Sequence, residues 1–380
     1  MSIAQALDAA ATPEPSGARI AFFHQNDPFS RQGGVERYLA TLLSCASGRA
    51  ALVSPPLQTP HARQLAVRPR GPTGAPQWLR YLLGLYAQHR EIRAFLREEN
   101  VGVLELSRPE YILACSLLPG VKVVTIHGTG PNPRQLVHYA LHHLCCLLLP
   151  FLAAQVQIVG RDRSGLPRLA QWILGSRIAH VDAWRDDVFK SSALPPLCDD
   201  APLRVFYAGR IAPQKDPALL FKIIRAAAAH PGAFDFSYFG SDYEKFREAG
   251  LEGLVRDGGF LGAGALAEAL GACHVGLLCS AFGEGSPFIL IETLGCGRPF
   301  VLPPLPTLVE AYGGVDGAHI VRRREVEAFV DALLQIRADM LAGRVDPFAI
   351  ADGVADRAQS RAAPRLLAEL ARLSTVVAPC

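Results

Sequence analysis

The sequence predicts an α/β protein built from two Rossmann-like, doubly wound domains that face each other across a cleft. Three observations lead there. Strand-like runs of β-branched and aromatic residues alternate with segments of helical spacing, the pattern of parallel sheets with helices on their faces. The chain has 380 residues, enough for two separate cores. A stretch rich in Asp, Ser and Pro, Arg185 to Pro202, parts two such runs and reads as a linker.

The elements follow in order. Residues 1–18 lack a basic start and a long apolar run and carry Asp8, so they read as a disordered leader rather than a secretory signal. The first strand is ARIAFFHQ. A polar loop, NDPFSRQGG, leads into a helix whose apolar residues Val35, Leu39, Leu42, Leu43 and Ala46 recur at helical spacing. AALVS, VGVLELS, VKVVTIHG, QVQIVG and SRIAHVD follow as strands and complete a first domain over 19–185. The second domain, 186–355, opens with LRVFYAGR and contains the helix-like PALLFKIIRAAAAH and the strands FDFSYFGS, VGLLCS and PFVLP. The tail from Glu325 is helical, and its end, 356–380, is expected as a helix that returns to the first domain.

Composition narrows the function. Half the residues are hydrophobic and 19% are charged, as in ordinary globular proteins. A net charge of +3 does not by itself imply nucleic acid, and no nucleic-acid partner is expected. Nine cysteines with no CxxC pair argue against a disulfide framework and fit a reducing cytoplasm. The apolar stretch Leu144 to Ala154 is too short to span a bilayer and contains Pro150, so a buried helix is expected. With His138, His142, His143 and Arg134 nearby, the same stretch would alternatively form a peripheral contact with an anionic membrane. GAGALA at 262–267 matches the short dinucleotide fingerprint, but no acidic residue follows at the end of a second strand, and the match is a decoy. The sequence has no Walker loop, zinc motif, Asp-x-Asp pair or nucleophile elbow, so no metal site and no cofactor are expected.

The chemistry concentrates in AFGEGSPFILIETLGCGRPFV, residues 281–301, where Glu284 and Glu292 stand with seven residues between them. Ser286 suits an N-cap, Pro287 a first helical position, and Gly295 and Gly297 a stop. A helix start presents free N–H groups to a phosphate. Residues 287 to 292 rise roughly 8 Å, about the span of a diphosphate between two sugars. One carboxylate would then face each sugar of a nucleotide-sugar. Glu292 also interrupts an apolar run, where a merely solvated charge is out of place. Three further pieces sit at strand ends. Gly33 and Gly34 open the first helix and permit close backbone approach to a phosphate, or serve only as a turn. Arg210 and Lys215 in GRIAPQKD, beside Gly209, would neutralise a diphosphate, or form a solvated pair. His127 ends VKVVTIHG and would bond a hydroxyl or move a proton, or stay purely structural.

Together the pieces QGGVERYLATL, VVTIHGTG, FYAGRIAPQKDP, YFGSD and FGEGSPFILIETLGCGRPFV resemble the retaining family 4 glycosyltransferases. The resemblance covers most of residues 19–370 and is most specific over 204–302. It implies a GT-B fold, with the acceptor on the first domain and the nucleotide-sugar on the second. It implies that Gly33 and Gly34 approach the diphosphate and that Arg210 and Lys215 hold it. It places His127 near the transferred sugar, Glu284 on that sugar's hydroxyls and Glu292 on the ribose. Backbone N–H groups around Ser286–Phe288, in the loop of Gly285, Ser286, Pro287 and Phe288, would meet sugar and phosphate. The partners implied are a nucleoside diphosphate sugar as donor substrate and a glycan or lipid-linked sugar as acceptor. Rival readings are a sugar-nucleotide epimerase of the same fold, a non-catalytic nucleotide-sugar-binding subunit, and a membrane-docking module.

Overall fold

A computed structural model describes residues 19–29, 33–46, 48–58, 61–128 and 135–376. The leader 1–18 and Arg134 lie outside the described residues.

Two wholly parallel sheets form. The first has seven strands in the order β3-β2-β1-β4-β5-β6-β7. They are β1 Arg19–Phe23, β2 Ala50–Ser54, β3 Gln64–Ala66, β4 Val101–Leu106, β5 Val121–His127, β6 Gln155–Val159 and β7 Ile178–Val181. The second has six, β10-β9-β8-β11-β12-β13. They are β8 Leu203–Ala208, β9 Phe234–Phe239, β10 Val255–Asp257, β11 Val275–Leu277, β12 Phe300–Leu302 and β13 Ala318–Ile320. Both orders reverse direction beside the first strand of the domain, and a doubly wound sheet binds ligands at that switch point, beyond its carboxyl edge.

Buried strands of this kind need apolar side chains on both faces, and β1 and β2 supply them almost without interruption. The helix Gly34–Cys45 lays Tyr38, Leu39, Leu42 and Leu43 on one face of the first sheet. The last helix, Gln359–Val376, joins that layer through Ala363, Leu366, Leu367 and Leu370. The chain reaches it by pairing with its own linker: Arg185 N donates to Arg357 O and Gln359 N to Arg185 O. Arg298 ties the linker down at its other end. Its guanidinium is fully buried and donates to the carbonyls of Ser192, Ala193 and Gly271 and to Ser192 Oγ. The guanidinium fork serves several acceptors at once, and its Nε is left without a partner among the described residues.

The apolar stretch at 144–154 departs from the expected buried helix. A longer helix forms, Leu136–Leu152, and only one side of it is buried, through His142, Cys145, Cys146, Leu149 and Pro150. Leu144 and Phe151 are exposed, Phe151 at 75%, and Trp172 in the neighbouring helix Arg168–Leu174 is 79% exposed. Among the described residues no helix is long and apolar enough to cross a membrane. Of the histidines expected beside a membrane surface, His143 Nδ1 lies 2.8 Å from Tyr139 O. His138 and His142 lie one turn apart and both turn to the buried carboxylate of Glu110, at 3.1 Å each.

Candidate active site

The carboxyl ends of the two sheets meet. Gly160, just past β6, and Gly285 touch backbone to backbone: a Cβ on Gly160 would lie 2.2 Å from the Gly285 carbonyl carbon. Only glycine permits that approach, and Gly160 also has a φ of +84°. Ala183 N donates to Ser286 Oγ at 3.1 Å, and Gly34 lies against the Phe288 ring. The loop 283–288 is therefore the seam between the domains.

On the second domain, β8 ends in Gly209 and Arg210, both exposed. Gly209 has a φ of +128°, which turns the chain sharply out of the strand. A tight turn, Pro213–Lys215, follows, and Asp216 caps the helix Pro217–Ala227 by accepting from Leu219 N. This turn is stitched to the loop after β11. Gln214 Nε2 donates to Gly283 O at 2.8 Å, and Ala281 N donates to Gln214 O at 2.9 Å. Asp216 pairs with Arg324, whose Nε also reaches the carbonyls of Cys279 and Ser280. The stitching brings Lys215 Nζ to 2.5 Å from Glu284 Oε1. Ser280 Oγ donates to the same oxygen at 2.6 Å. Glu284 is 5% exposed, and its Oε2 takes no hydrogen bond from the described residues.

The helix after the loop starts one residue later than expected. Pro287 is the N-cap and Phe288–Gly295 are helical. Ser286 does not cap it, because its hydroxyl is spent between domains, on Ala183 N and, at 3.3 Å, on Tyr312 Oη. The stop is as expected: Gly297 takes a φ of +75° and its N–H returns to Leu294 O. Leu290 N donates to Pro287 O at 3.2 Å, while the amides of Phe288 and Ile289 have no backbone partner among the described residues. Glu292, just over one turn in, is 2% exposed. Burial pushes its pKa up, and the cation of Arg37 opposes this. Arg37 belongs to the first domain and ion-pairs with Glu292 Oε1 while its guanidinium lies over the Phe288 ring at 5.0 Å.

On the first domain, Gly33 is the N-cap of Gly34–Cys45. Glu36, on the first turn, holds the loop after β1: it accepts from Asn26 Nδ2 at 2.6 Å and lies 3.5 Å from His24 Nε2. The His24 hydrogen bond, helped by Asn26, holds the Glu36 carboxyl down to about 2 against burial. His127 packs edge-on against Tyr38. Burial pushes its pKa down to about 3, aided by the charge of His24, so the ring is neutral at ordinary pH. Its Nε2 is buried without a partner among the described residues. A pocket of about 220 Å³ opens here, lined by His24, Asn26, Glu36, Arg108, His127 and His142 among others. Arg108 is held there by Glu110, at 3.2 Å, and Glu110 is fully buried. Burial alone would raise the Glu110 pKa, but the His142 hydrogen bond and the Arg108 charge hold it well below the carboxylate range.

The structure thus gathers Lys215, Glu284, Gly285, Ser286, Pro287, Phe288, Glu292 and Gly34 at one seam. Gly209 and Arg210 are exposed just past β8, where the Arg210 side chain makes no hydrogen bond or ion pair among the described residues, and His127 lines the pocket on the first domain. Ser280, Glu36, Arg37 and the Arg108–Glu110–His138–His142 cluster belong to the same surroundings but carry no sequence signal of their own. The i, i+4 spacing of His138 and His142 was the one trace of that cluster.

This geometry can be set beside known proteins. A family model, Glycosyl transferases group 1, matches residues 202–339. No curated protein gives a significant sequence match. Among solved structures, a sucrose-phosphate synthase from Thermosynechococcus elongatus is 16% identical, covers 95% of this chain and 100% of its own, and superposes with a TM-score of 0.74. Anabaena HepE, in complex with UDP, is 14% identical over 94% of this chain and 100% of its own, with a TM-score of 0.67. WaaG, described as a glycosyltransferase of lipopolysaccharide biosynthesis, is 10% identical over 92% of this chain and 99% of its own, with a TM-score of 0.66. At such identities the likeness is one of fold. The chain has the GT-B fold over nearly its whole length, and across residues 202–339 it is similar to the group 1 glycosyltransferases.

Proposed function

We propose that the protein is a retaining, metal-independent glycosyltransferase that moves a hexose from a nucleoside diphosphate sugar to a hydroxyl of a glycan or lipid-linked sugar, in glycoconjugate synthesis. The observation that carries this reading is the Lys215–Glu284–Ser280 cluster standing at a helix start, with a second buried carboxylate, Glu292, just over one turn beyond. A diphosphate laid on the first-turn amides of Phe288–Gly295 meets Lys215 on one side and Arg210 on the other. These groups stabilise the negative charge that develops as the bond from the anomeric carbon to the diphosphate breaks. Glu284 Oε2 accepts from a hydroxyl of the sugar in transit, and Glu292 from the ribose. The acceptor hydroxyl attacks the face that the diphosphate leaves, and its proton passes to a diphosphate oxygen, so no protein base is required. The neutral ring of His127 offers its unpartnered Nε2 to a sugar hydroxyl rather than a charge.

HepE is described in complex with UDP-glucose, which makes UDP-hexoses the first donors to try. The experiment is a thermal-shift panel of nucleoside diphosphate sugars, since a ligand bound only by the folded state raises the melting temperature. Sugar transfer from the binding donor follows. A donor that binds and is transferred supports the reading. A donor that binds and is epimerised, or binds without turnover, favours the epimerase or the non-catalytic subunit. The exposed Leu144, Phe151 and Trp172 support a peripheral membrane contact, which flotation with anionic liposomes tests.

A further inference from the structure

Glu292 is buried in an apolar helix, and among the described residues no group of its own domain forms an ion pair with it. The nearest cation belongs to the other domain. Arg37 stands on the first turn of Gly34–Cys45, where its neighbour Glu36 is fixed to Asn26 and its own backbone N–H closes the first helical bond to Gly33 O at 2.9 Å. From that anchored turn the Arg37 side chain crosses the seam, lies over Phe288 and ends at Glu292 Oε1. The ring contact and the close approach of Gly34 to Phe288 fix where the guanidinium sits.

We propose that Arg37 is a positioning residue for Glu292: the first domain supplies the counter-charge that keeps the second domain's carboxylate ionised and aimed, so nucleotide binding depends on the two domains being apposed. The proposal rests on the reading of Glu292 as the ribose carboxylate. The physical reason is direct. An ionised carboxylate accepts hydroxyl hydrogen bonds at both oxygens, whereas a buried carboxylate without a cation takes up a proton, which turns one oxygen into a donor. The other groups facing Glu292 do not replace Arg37. Asp186 of the linker carries the wrong sign, and the thiol of Cys296 at the helix end carries no positive charge. Arg185 lies against Gly295 and is drawn away, its Nη1 donating to Phe189 O.

Binding of UDP or GDP, whichever the wild-type protein takes, is measured by calorimetry from pH 6 to pH 9 for the wild type, Arg37→Ala, Arg37→Lys and Glu292→Gln, with melting temperatures alongside. Removing the cation raises the Glu292 pKa. Arg37→Ala should therefore bind about tenfold or more weakly at pH 6–7, with the loss shrinking as pH rises and the carboxyl ionises. Arg37→Lys keeps the charge and should recover most of the affinity at every pH. Glu292→Gln should be weak at all pH values. If Glu292→Gln binds like wild type, the ribose reading itself fails. If Glu292→Gln is weak but Arg37→Ala binds like wild type, or is weak to the same degree at every pH, the ribose reading stands and the role of Arg37 is overturned.

Discussion

Glu284 and Glu292 are the same residue type, nearly equally buried, and they flank one helix start, yet their charges are balanced from opposite sides of the molecule. Glu284 is held by Lys215 and Ser280, both of its own domain, on two loops stitched together through Gln214. Glu292 is met by Arg37 from the other domain. A carboxylate whose partners lie in its own domain is preassembled, while one whose partner crosses a seam is complete only when the domains meet. On the proposed reading, the sugar-handling half of the site is built in advance, and the nucleotide-handling half is sensitive to domain arrangement.

The largest expected effect breaks the preassembled side. Lys215→Ala should lower turnover by about 100-fold or more, as loss of one strong electrostatic donor does, and melting temperatures are measured alongside because buried Glu284 loses its cation. Steady-state rates with saturating donor check it, and near-normal turnover would remove Lys215 from the chemistry.

A third carboxylate sharpens the comparison because it has neither kind of partner. Glu105 on β4 is fully buried, and neither oxygen has a hydrogen-bond partner among the described residues. Burial pushes its pKa up to about 7, with only Thr125 opposing. A folded-state pKa above the unfolded one means that the native state holds a proton the unfolded chain releases. The Glu105 contribution to stability is fully present below pH ~4.5 and falls as pH rises towards 7, by a total of about 3 kcal/mol. Glu105→Gln should remove that contribution and leave the opposing one of buried neutral histidines such as His127, so the change in urea midpoint between pH 5 and pH 8 should differ between wild type and variant. The same change in both proteins would contradict the assignment.

The smallest expected effect concerns metal. With the diphosphate neutralised by Lys215, Arg210 and backbone amides, transfer should be unchanged in excess chelator. Full loss, restored by Mg²⁺ or Mn²⁺, would sink this part of the mechanism.

Much of the fold is legible in the sequence because buried parallel strands read as continuous apolar runs, as in RIAFF and VKVVTI. The edge strands Gln64–Ala66, Val255–Asp257 and Ala318–Ile320 are not legible, since they are short and only partly buried, whereas the equally short Val275–Leu277 and Phe300–Leu302 are fully buried and apolar. The 281–301 segment announces itself by two acids and small residues beside an apolar run. Its helix start was misjudged by one position because Ser286, a good cap by type, answers to Ala183 in the other domain. The same limit hides Arg37 and the Glu110 cluster. Arg37 is 255 positions from Glu292, and Glu110 meets His142 across 32, and only the folded topology joins them. The exposed side of Leu136–Leu152 is hidden for a different reason: hydropathy reports what a segment is made of and not whether a neighbour covers it.

The central claim is that the two glutamates divide the donor between them, Glu284 on the sugar whose bonding changes and Glu292 on the spectator ribose. Interactions made only in the transition state govern turnover, and uniform ones govern binding. The direct measurement is kcat and donor KM for Glu284→Gln and Glu292→Gln, with melting temperatures to confirm that both variants fold. The account predicts that Glu284→Gln lowers kcat far more than it raises donor KM, and that Glu292→Gln raises donor KM about tenfold with kcat nearly kept. Two folded variants with the same kinetic signature, or with the pattern reversed, would contradict it.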